Sequence, residues 1–282
     1  MLNNYLKAFG VATGIAIGTI PGTVHAGING KPGYPLLYSP AVLQAGSFES
    51  SQKGSFIAPK SSSTNPKVYG KTYGESAAEW AKWAYSFPEG MNPIQDETGE
   101  YCGLGQSGKV WFLAGSEGLT GVERTCTIPA GRAIFYPIIT ATWVDFPGDE
   151  IYSDEEVSWI MASLTGAGDH ACKITSTLDT LTDMPNVGEV PAPVTARLRP
   201  LVRAQSPKST IVLPEDNLFG IDSGKNERLI VEGYWVMLPP LTPGEHVLKF
   251  NGAGCDADDE TFTKNFEVEV TYILTVTQGK KP

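Results

Sequence analysis

Asp96, Gln106 and Arg124 are the residues on which binding chemistry would rest. They supply a carboxylate, a two-way amide and a multi-donor guanidinium within a glycine-rich stretch that holds Cys102 and Cys126. Folded onto one concave surface, the three would orient a polar ligand. The plainer reading is a brace. Asn92 and Asp96 then fix turns by bonding their own backbone, and Arg124 pairs with Asp96 across a cystine.

Aromatic and acidic residues add two further candidates. Of six tryptophans, Trp80 sits on a helical apolar stripe and Trp111 within an apolar strand, which makes both core residues. Trp83, Trp143 and Trp235 are freer to face outward, where an indole suits the apolar face of a pyranose. Asp256, Asp258, Asp259 and Glu260 form a dense acidic loop after Cys255, and Asp145 to Glu150 form another. Such oxygens suit calcium, although neither loop fits the twelve-residue calcium-binding pattern, and a solvated acidic turn is the plainer alternative. No other cofactor is expected.

Several familiar patterns lack their mechanical context. Gly103, Gly105 and Gly108 match a dinucleotide fingerprint, but a cysteine precedes them and a strand follows. The fingerprint needs a strand before and a helix N-terminus after, so that amides meet the pyrophosphate. Gly105-Gln106-Ser107 begins like a nucleophile elbow, yet Lys109 stands where the second glycine belongs. His170 and His246 are the only histidines beyond residue 25, too few for a histidine-rich metal site. Glu75 with Glu79, and Glu215-Asp216-Asn217, are carboxylate groupings of the kind a glycosidase uses, although Glu79 more simply pairs with Lys82 along a helix. No residue is assigned a catalytic role. With 21 basic against 31 acidic residues, the charge balance also argues against nucleic acid as a partner.

The start of the chain bears on location. Lys7 is the only charge before residue 31, Ala8 to Ile20 form a short apolar run, and Val24-His25-Ala26 ends it with small residues at alternate positions. This is the pattern of a secretory signal peptide over residues 1–26. The run is shorter than the ~20 residues a membrane span needs. A secreted or periplasmic protein is expected, with no membrane span after cleavage. In an oxidising compartment Cys102, Cys126, Cys172 and Cys255 make two disulfides. Of the three possible connectivities, Cys102–Cys126 with Cys172–Cys255 is preferred, because each cysteine opens or closes a strand or loop.

The elements that must position these residues read as mainly β. Residues 27–68 are a flexible leader rich in Gly, Pro and Ser, and 69–282 a β-rich globular domain with a possible division into two fused sub-cores near residue 166. Thr72 with Glu75 predicts a capped helix carrying Ala77, Trp80, Ala84 and Phe87 and ending at Pro88. Ser153 with Glu156 predicts a second, running to Gly166. The last strand alternates most cleanly: Phe266, Val268, Val270, Tyr272, Leu274 and Val276 take one face, and Glu267, Glu269, Thr271 and Thr275 the other. Pro243-Gly244 turns the chain just before it. Many short strands and two short helices predict an antiparallel β-sandwich or jelly roll.

One longer signature runs through this frame: Glu79-Trp80, Trp83, Asn92-Pro93, Asp96, Thr98-Gly99, Cys102, Gly105-Gln106, Gly108, Val110 to Gly115, Arg124, Cys126, Pro129-Ala130-Gly131 and Phe135. It continues at Ser206-Pro207, Leu213 to Asn217, Leu241-x-Pro243-Gly244-x-His246 and Tyr272-x-Leu274-x-Val276. In these residues the chain resembles a family of uncharacterised exported bacterial proteins. Lys109 and Lys82 depart from that pattern. The resemblance implies export, a cysteine pair and a β-rich fold, and brings no activity with it. The expected function is a non-catalytic module that binds a glycan or another cell-envelope component. The alternatives are a secreted, carboxylate-dependent, glycosidase-like hydrolase and a structural or interaction protein of the envelope.

Overall fold

The structure is a computed structural model that describes residues 67–147, 152–164, 171–179, 202–255 and 264–278. The expected signal peptide, nearly all of the leader, the division near residue 166, His170 and the acidic residues Asp256, Asp258, Asp259 and Glu260 lie outside the described residues.

Two sheets pack in a sandwich-like arrangement. Helix α1 (Tyr73–Ala84) precedes β1 (Val110–Phe112), β2 (Val122–Ile128) and β3 (Ala133–Val144). Helix α2 (Asp154–Leu164) then leads to β4 (Ala171–Leu178), β5 (Val202–Gln205), β6 (Ser209–Leu213), β7 (Gly224–Leu238), β8 (Gly244–Cys255) and β9 (Lys264–Val276). The first sheet runs β1-β3-β7-β5, with β6 also on β7; the second runs β2-β9-β8-β4. The expected antiparallel pairing is found at every junction but two. Edge strand β1 runs parallel to β3, and edge strand β2 parallel to β9.

Local signals explain the helices. In α1 the Glu75 amide donates to Thr72 Oγ1 at 3.1 Å and the Thr72 amide to Glu75 Oε2 at 2.7 Å, a reciprocal cap. Tyr73, Ala77, Trp80, Ala81 and Ala84 turn inward onto the first sheet, against Phe135, Val231 and Trp235. Glu79 bonds Lys71 from the preceding turn, not Lys82 as the helix spacing suggested. Ser153 caps α2 in the same way through Glu156. Val157 and Met161 of α2 cover Ala141, Trp143 and Ile230 on the opposite face of that sheet. Beside them Gln205 binds both Ser158 of α2 and the buried Glu232 carboxylate, which also receives Arg203.

Between the sheets lies a second core, in which Tyr136, Ile138 and Val236 meet Phe250, Val270, Tyr272 and Leu274. The inward face of β9 alternates as its sequence predicts, and burial along β2 alternates too. Strand β3 is the hinge of the arrangement. Its register on β7 shifts between Pro137 and Ile139, since proline has no amide for the ladder, and Ile138 is left without a β7 partner. The bulge carries the Ile138 carbonyl against β8 at Gly252, where a Cβ atom would lie 2.7 Å from that oxygen. Only glycine permits so close an approach of the two sheets.

Candidate functional site

The signature residues build a frame. Arg124 points inward from β2 and is 1% exposed. Its Nε donates to the Asp96 carbonyl, Nη1 to Ala114 O (3.0 Å), Gly115 O (2.8 Å) and Tyr272 Oη (2.9 Å), and Nη2 to Ile94 O (2.9 Å). The guanidinium also lies over the Tyr272 ring, 5.6 Å from its centroid. Among the described residues it makes no salt bridge to a carboxylate. Its contact with Asp96 runs to the backbone rather than the side chain, so its charge is spread over carbonyl dipoles and a phenol.

Asp96 faces its own loop instead. Oδ1 receives the Thr98 amide (2.9 Å), the Thr98 hydroxyl (3.0 Å) and the Gly99 amide (2.8 Å), and Oδ2 receives the Tyr101 amide (2.8 Å). Burial alone would raise the Asp96 pKa, but these donors together hold it below the usual carboxylate range. The turn they fix brings Thr98 O onto the Thr125 amide at 2.9 Å, which occupies part of the free edge of β2. Gly99, at φ 90°, passes so near this strand that a Cβ would fall 2.0 Å from the Thr125 carbonyl. A Cys102–Cys126 disulfide fastens the same loop to β2.

Gln106 serves the other sheet. It donates to Cys102 O (3.0 Å) and Phe112 O (2.7 Å) and accepts the Phe112 amide (3.0 Å). One amide side chain therefore stands in for a neighbouring strand beside β1. The polar atoms of Asp96, Gln106 and Arg124 thus meet backbone and the hydroxyls of Thr98 and Tyr272, and the three converge on a shared loop system rather than on one open surface.

The tryptophans are placed differently from expectation. Trp83, Trp143 and Trp235, expected to face outward, are 7%, 6% and 0% exposed. Each indole finds an internal acceptor for its single donor, which removes the cost of burying it. Trp83 donates to Leu104 O (2.8 Å), Trp143 to Asp145 Oδ1 (3.2 Å) and Trp235 to Ala204 O (3.0 Å). Trp235 stacks on Phe135 at 5.1 Å and meets Trp80 edge-on at 5.3 Å. The carboxylate groupings are also dispersed. Glu75 caps α1, Glu79 is paired with Lys71, and Glu215 and Asp216 lie exposed on a turn that the buried Asn217 fixes.

What the frame encloses is a cleft where the two sheets part. It measures about 340 Å³ when the open solvent at its mouth is counted, of which about 20 Å³ is free to the centre of a water-sized body. Trp80 and Tyr85 come from α1 and its end, Ile94 and Gly115-Ser116 from the signature loops, Pro137 to Thr140 from the bulge, and Phe266 and Val268 from β9. Arg124 sets two of these walls directly, since Ile94 O and Gly115 O both accept from it. Trp80 is fixed by donating to Leu113 O at 2.9 Å, and Tyr85 by its 2.9 Å bond with Thr142. The lining residues include aromatic, aliphatic and hydroxyl groups but no carboxylate or amine. Next to Ser116, half-buried Glu117 has its pKa pushed up by burial, partly opposed by the Gln95 amide at 3.4 Å. Composition alone does not reveal this lining; Pro137 inside the long apolar run of β3 is the one sequence signal for its bulge.

A second titratable pair lies at the far end of the second sheet. His246 Nδ1 is 2.7 Å from Asp179 Oδ2, and Nε2 is 2.7 Å from the Thr242 carbonyl. The imidazole thus sits between a carboxylate and a carbonyl, with no nucleophile on its outer nitrogen. Burial would lower its pKa, but the two acceptors outweigh that and hold it above the usual histidine range. No group of three or more metal-ligating side chains occurs among the described residues, and no described helix is long and apolar enough to cross a membrane. Compared with family models, curated proteins and solved structures, the chain matches none.

Proposed function

We propose that this is an exported, non-catalytic module that binds a glycan or another cell-envelope component at the cleft between the sheets. The observation that carries the reading is the cleft itself. Its lining is neutral, aromatic and aliphatic with a few hydroxyls, the mixture of apolar and polar groups found in small-molecule sites. Those walls are held by Arg124, Trp80 and Tyr85 before any ligand arrives, which lowers the ordering cost of binding. A lining without carboxylates favours binding over glycoside hydrolysis, which needs two acids flanking the bond. The cystine suits an oxidising compartment.

Isothermal titration of the full chain against solubilised envelope polysaccharides and short oligosaccharides tests the reading. Saturable binding at micromolar to millimolar ligand, reduced by a bulky substitution in the lining, is expected. Absence of heat or of any spectral change at millimolar ligand across the set would overturn it.

A further inference from the structure

We propose that strand β6 is a seam along which two copies of this chain join, edge to edge and antiparallel, into one continuous sheet. The inference goes beyond ligand binding at the cleft and does not depend on it.

The other described sheet edges are guarded. Gln106 lies along β1, and Thr98 along β2. Strand β4 includes Lys173 and carries an extra residue, since Ala171 pairs with Gly254 but Lys173 with Ala253; a charge and a bulge both discourage pairing. At β5, helix α1 lies so close that a Cβ on Gly74 would fall 2.5 Å from the Gln205 carbonyl. Strand β6 has none of these devices. Ser209 to Leu213 holds no charge and no proline, and Thr210, Ile211 and Val212 are β-branched. The slip in its ladder puts the extra residue on β7 instead, because Ser209 pairs with Leu229 and Ile211 with Asn226. Among the described residues β6 pairs with β7 alone. Thr210 is exposed and Val212 is 69% exposed, so this edge meets solvent.

The flanks of the strand favour a second copy as the occupant. Lys208 precedes β6, and Glu215 and Asp216 follow it after Pro214; all three charged residues are exposed. A strand with a basic start and an acidic end complements itself when antiparallel, whereas a parallel copy would set like charges together. A two-fold axis through Ile211 pairs Ser209 with Leu213 and Thr210 with Val212 of the other copy. It carries each Lys208 to the Pro214-Glu215 corner opposite. Lys208 also bonds Asp154 at 3.1 Å, an exposed pair that costs little to exchange. The same axis preserves the two faces of the sheet. Ile211 and Leu213 stay on the side where they pack with α1, and each Val212 covers the Thr210 of the other copy on the opposite side. Five residues a side make a small seam, so the pairing is reversible and depends on concentration.

Sedimentation velocity of the full chain from roughly 10 μM to 1 mM brackets the affinity of so small an interface. The sedimentation coefficient is expected to climb with concentration from the monomer towards the dimer. Thr210→Lys combined with Val212→Lys opposes like charges twice across the seam and should weaken the dimer at least roughly tenfold, with the melting temperature close to the parent's. Lys208→Glu alone should weaken it roughly threefold, and adding Glu215→Lys should restore it, since the swap rebuilds the same complementarity. Should the first variant fail to fold, the charge swap and the backbone amide shifts of residues 210–213 in the unsubstituted protein, expected to move with concentration, decide the matter. A monomer at roughly 1 mM, a dimer indifferent to both sets of substitutions, or concentration-dependent shifts on β1 or β4 instead of β6 overturns the proposal.

Discussion

Replacing Arg124 by methionine separates a brace from a binding residue. The native guanidinium serves four backbone carbonyls and the Tyr272 hydroxyl from a site that is 1% exposed. Methionine restores much of the volume but none of the donors. Hydrogen bonds to a charged group contribute ~1.5–3 kcal/mol each, and stranded buried carbonyls recover part of that loss through water or small shifts. Breaking a buried charged constellation of this size costs about 4 kcal/mol. Against a total stability of ~5–15 kcal/mol that is a large share. With a urea dependence of ~2 kcal/mol per molar, the unfolding midpoint should fall by about 2 M, and thermal unfolding by roughly 10 °C. Tryptophan fluorescence reads the transition directly, because Trp80 and Trp235 sit in the core that packs beside the cleft. Arg124→Lys keeps the charge but lacks the planar fork, so it should recover less than half of the loss. A loss below about 1 kcal/mol for the methionine variant would refute the brace. Such a result would mean that the carbonyls around Arg124 are already solvated and that its donors are available to a ligand.

Four further outcomes follow from the same geometry. Asp96→Asn removes the charge from a carboxylate held below its usual pKa, so its stabilisation should be present above the unfolded carboxylate range and vanish as acid titration passes through the lowered folded value; urea midpoints across pH 2 to 7 check it. His246, held above the usual histidine range, acts in the opposite sense: its stabilisation is complete below its unfolded pKa and lost as pH rises through the raised folded one, and His246→Gln should flatten that part of the profile. Glu117→Gln relieves a carboxylate whose pKa burial pushes up, so the variant should unfold at slightly higher urea than the parent at neutral pH. Reduction of Cys102–Cys126, or its replacement by a serine pair, should cost about 3.5 kcal/mol in the chain-entropy account; non-reducing peptide mapping of the same sample also reports on Cys172 and Cys255, whose side chains lie outside the described residues.

Local rules were legible in the sequence wherever the partner residue is near in the chain. Thr72 with Glu75 and Ser153 with Glu156 announced both helix starts, because a cap joins residues three apart. The period-two alternation of β9 specified its buried face, and Pro243-Gly244 announced the turn into β8, which pairs antiparallel with β9. The parallel placement of β1 and β2 was not legible. Each joins its sheet through partners whose identity depends on packing, β2 on a strand near the far end of the chain. The tryptophans failed for a related reason. Trp83 and Trp235 are buried with their N–H groups on Leu104 O and Ala204 O, acceptors that distant segments supply. Neighbouring residue types carry no record of that.

The signature raised the same problem in a sharper form, since an Asp, a Gln and an Arg read equally well as ligand groups or as braces. Geometry separates the two readings by what their polar atoms meet. Gln106 lies against β1 and Thr98 against β2, so the signature covers parts of the two edge strands that run parallel to their neighbours. Exposed edges of that kind invite pairing with other chains. Arg124 then joins the loops that carry those covers to Tyr272 on β9. A stretch that caps one edge of each sheet and draws the intervening loops together also fixes where the sheets part. The cleft therefore depends on residues that do not line it, and its shape should be lost in Arg124→Met before any lining residue is altered.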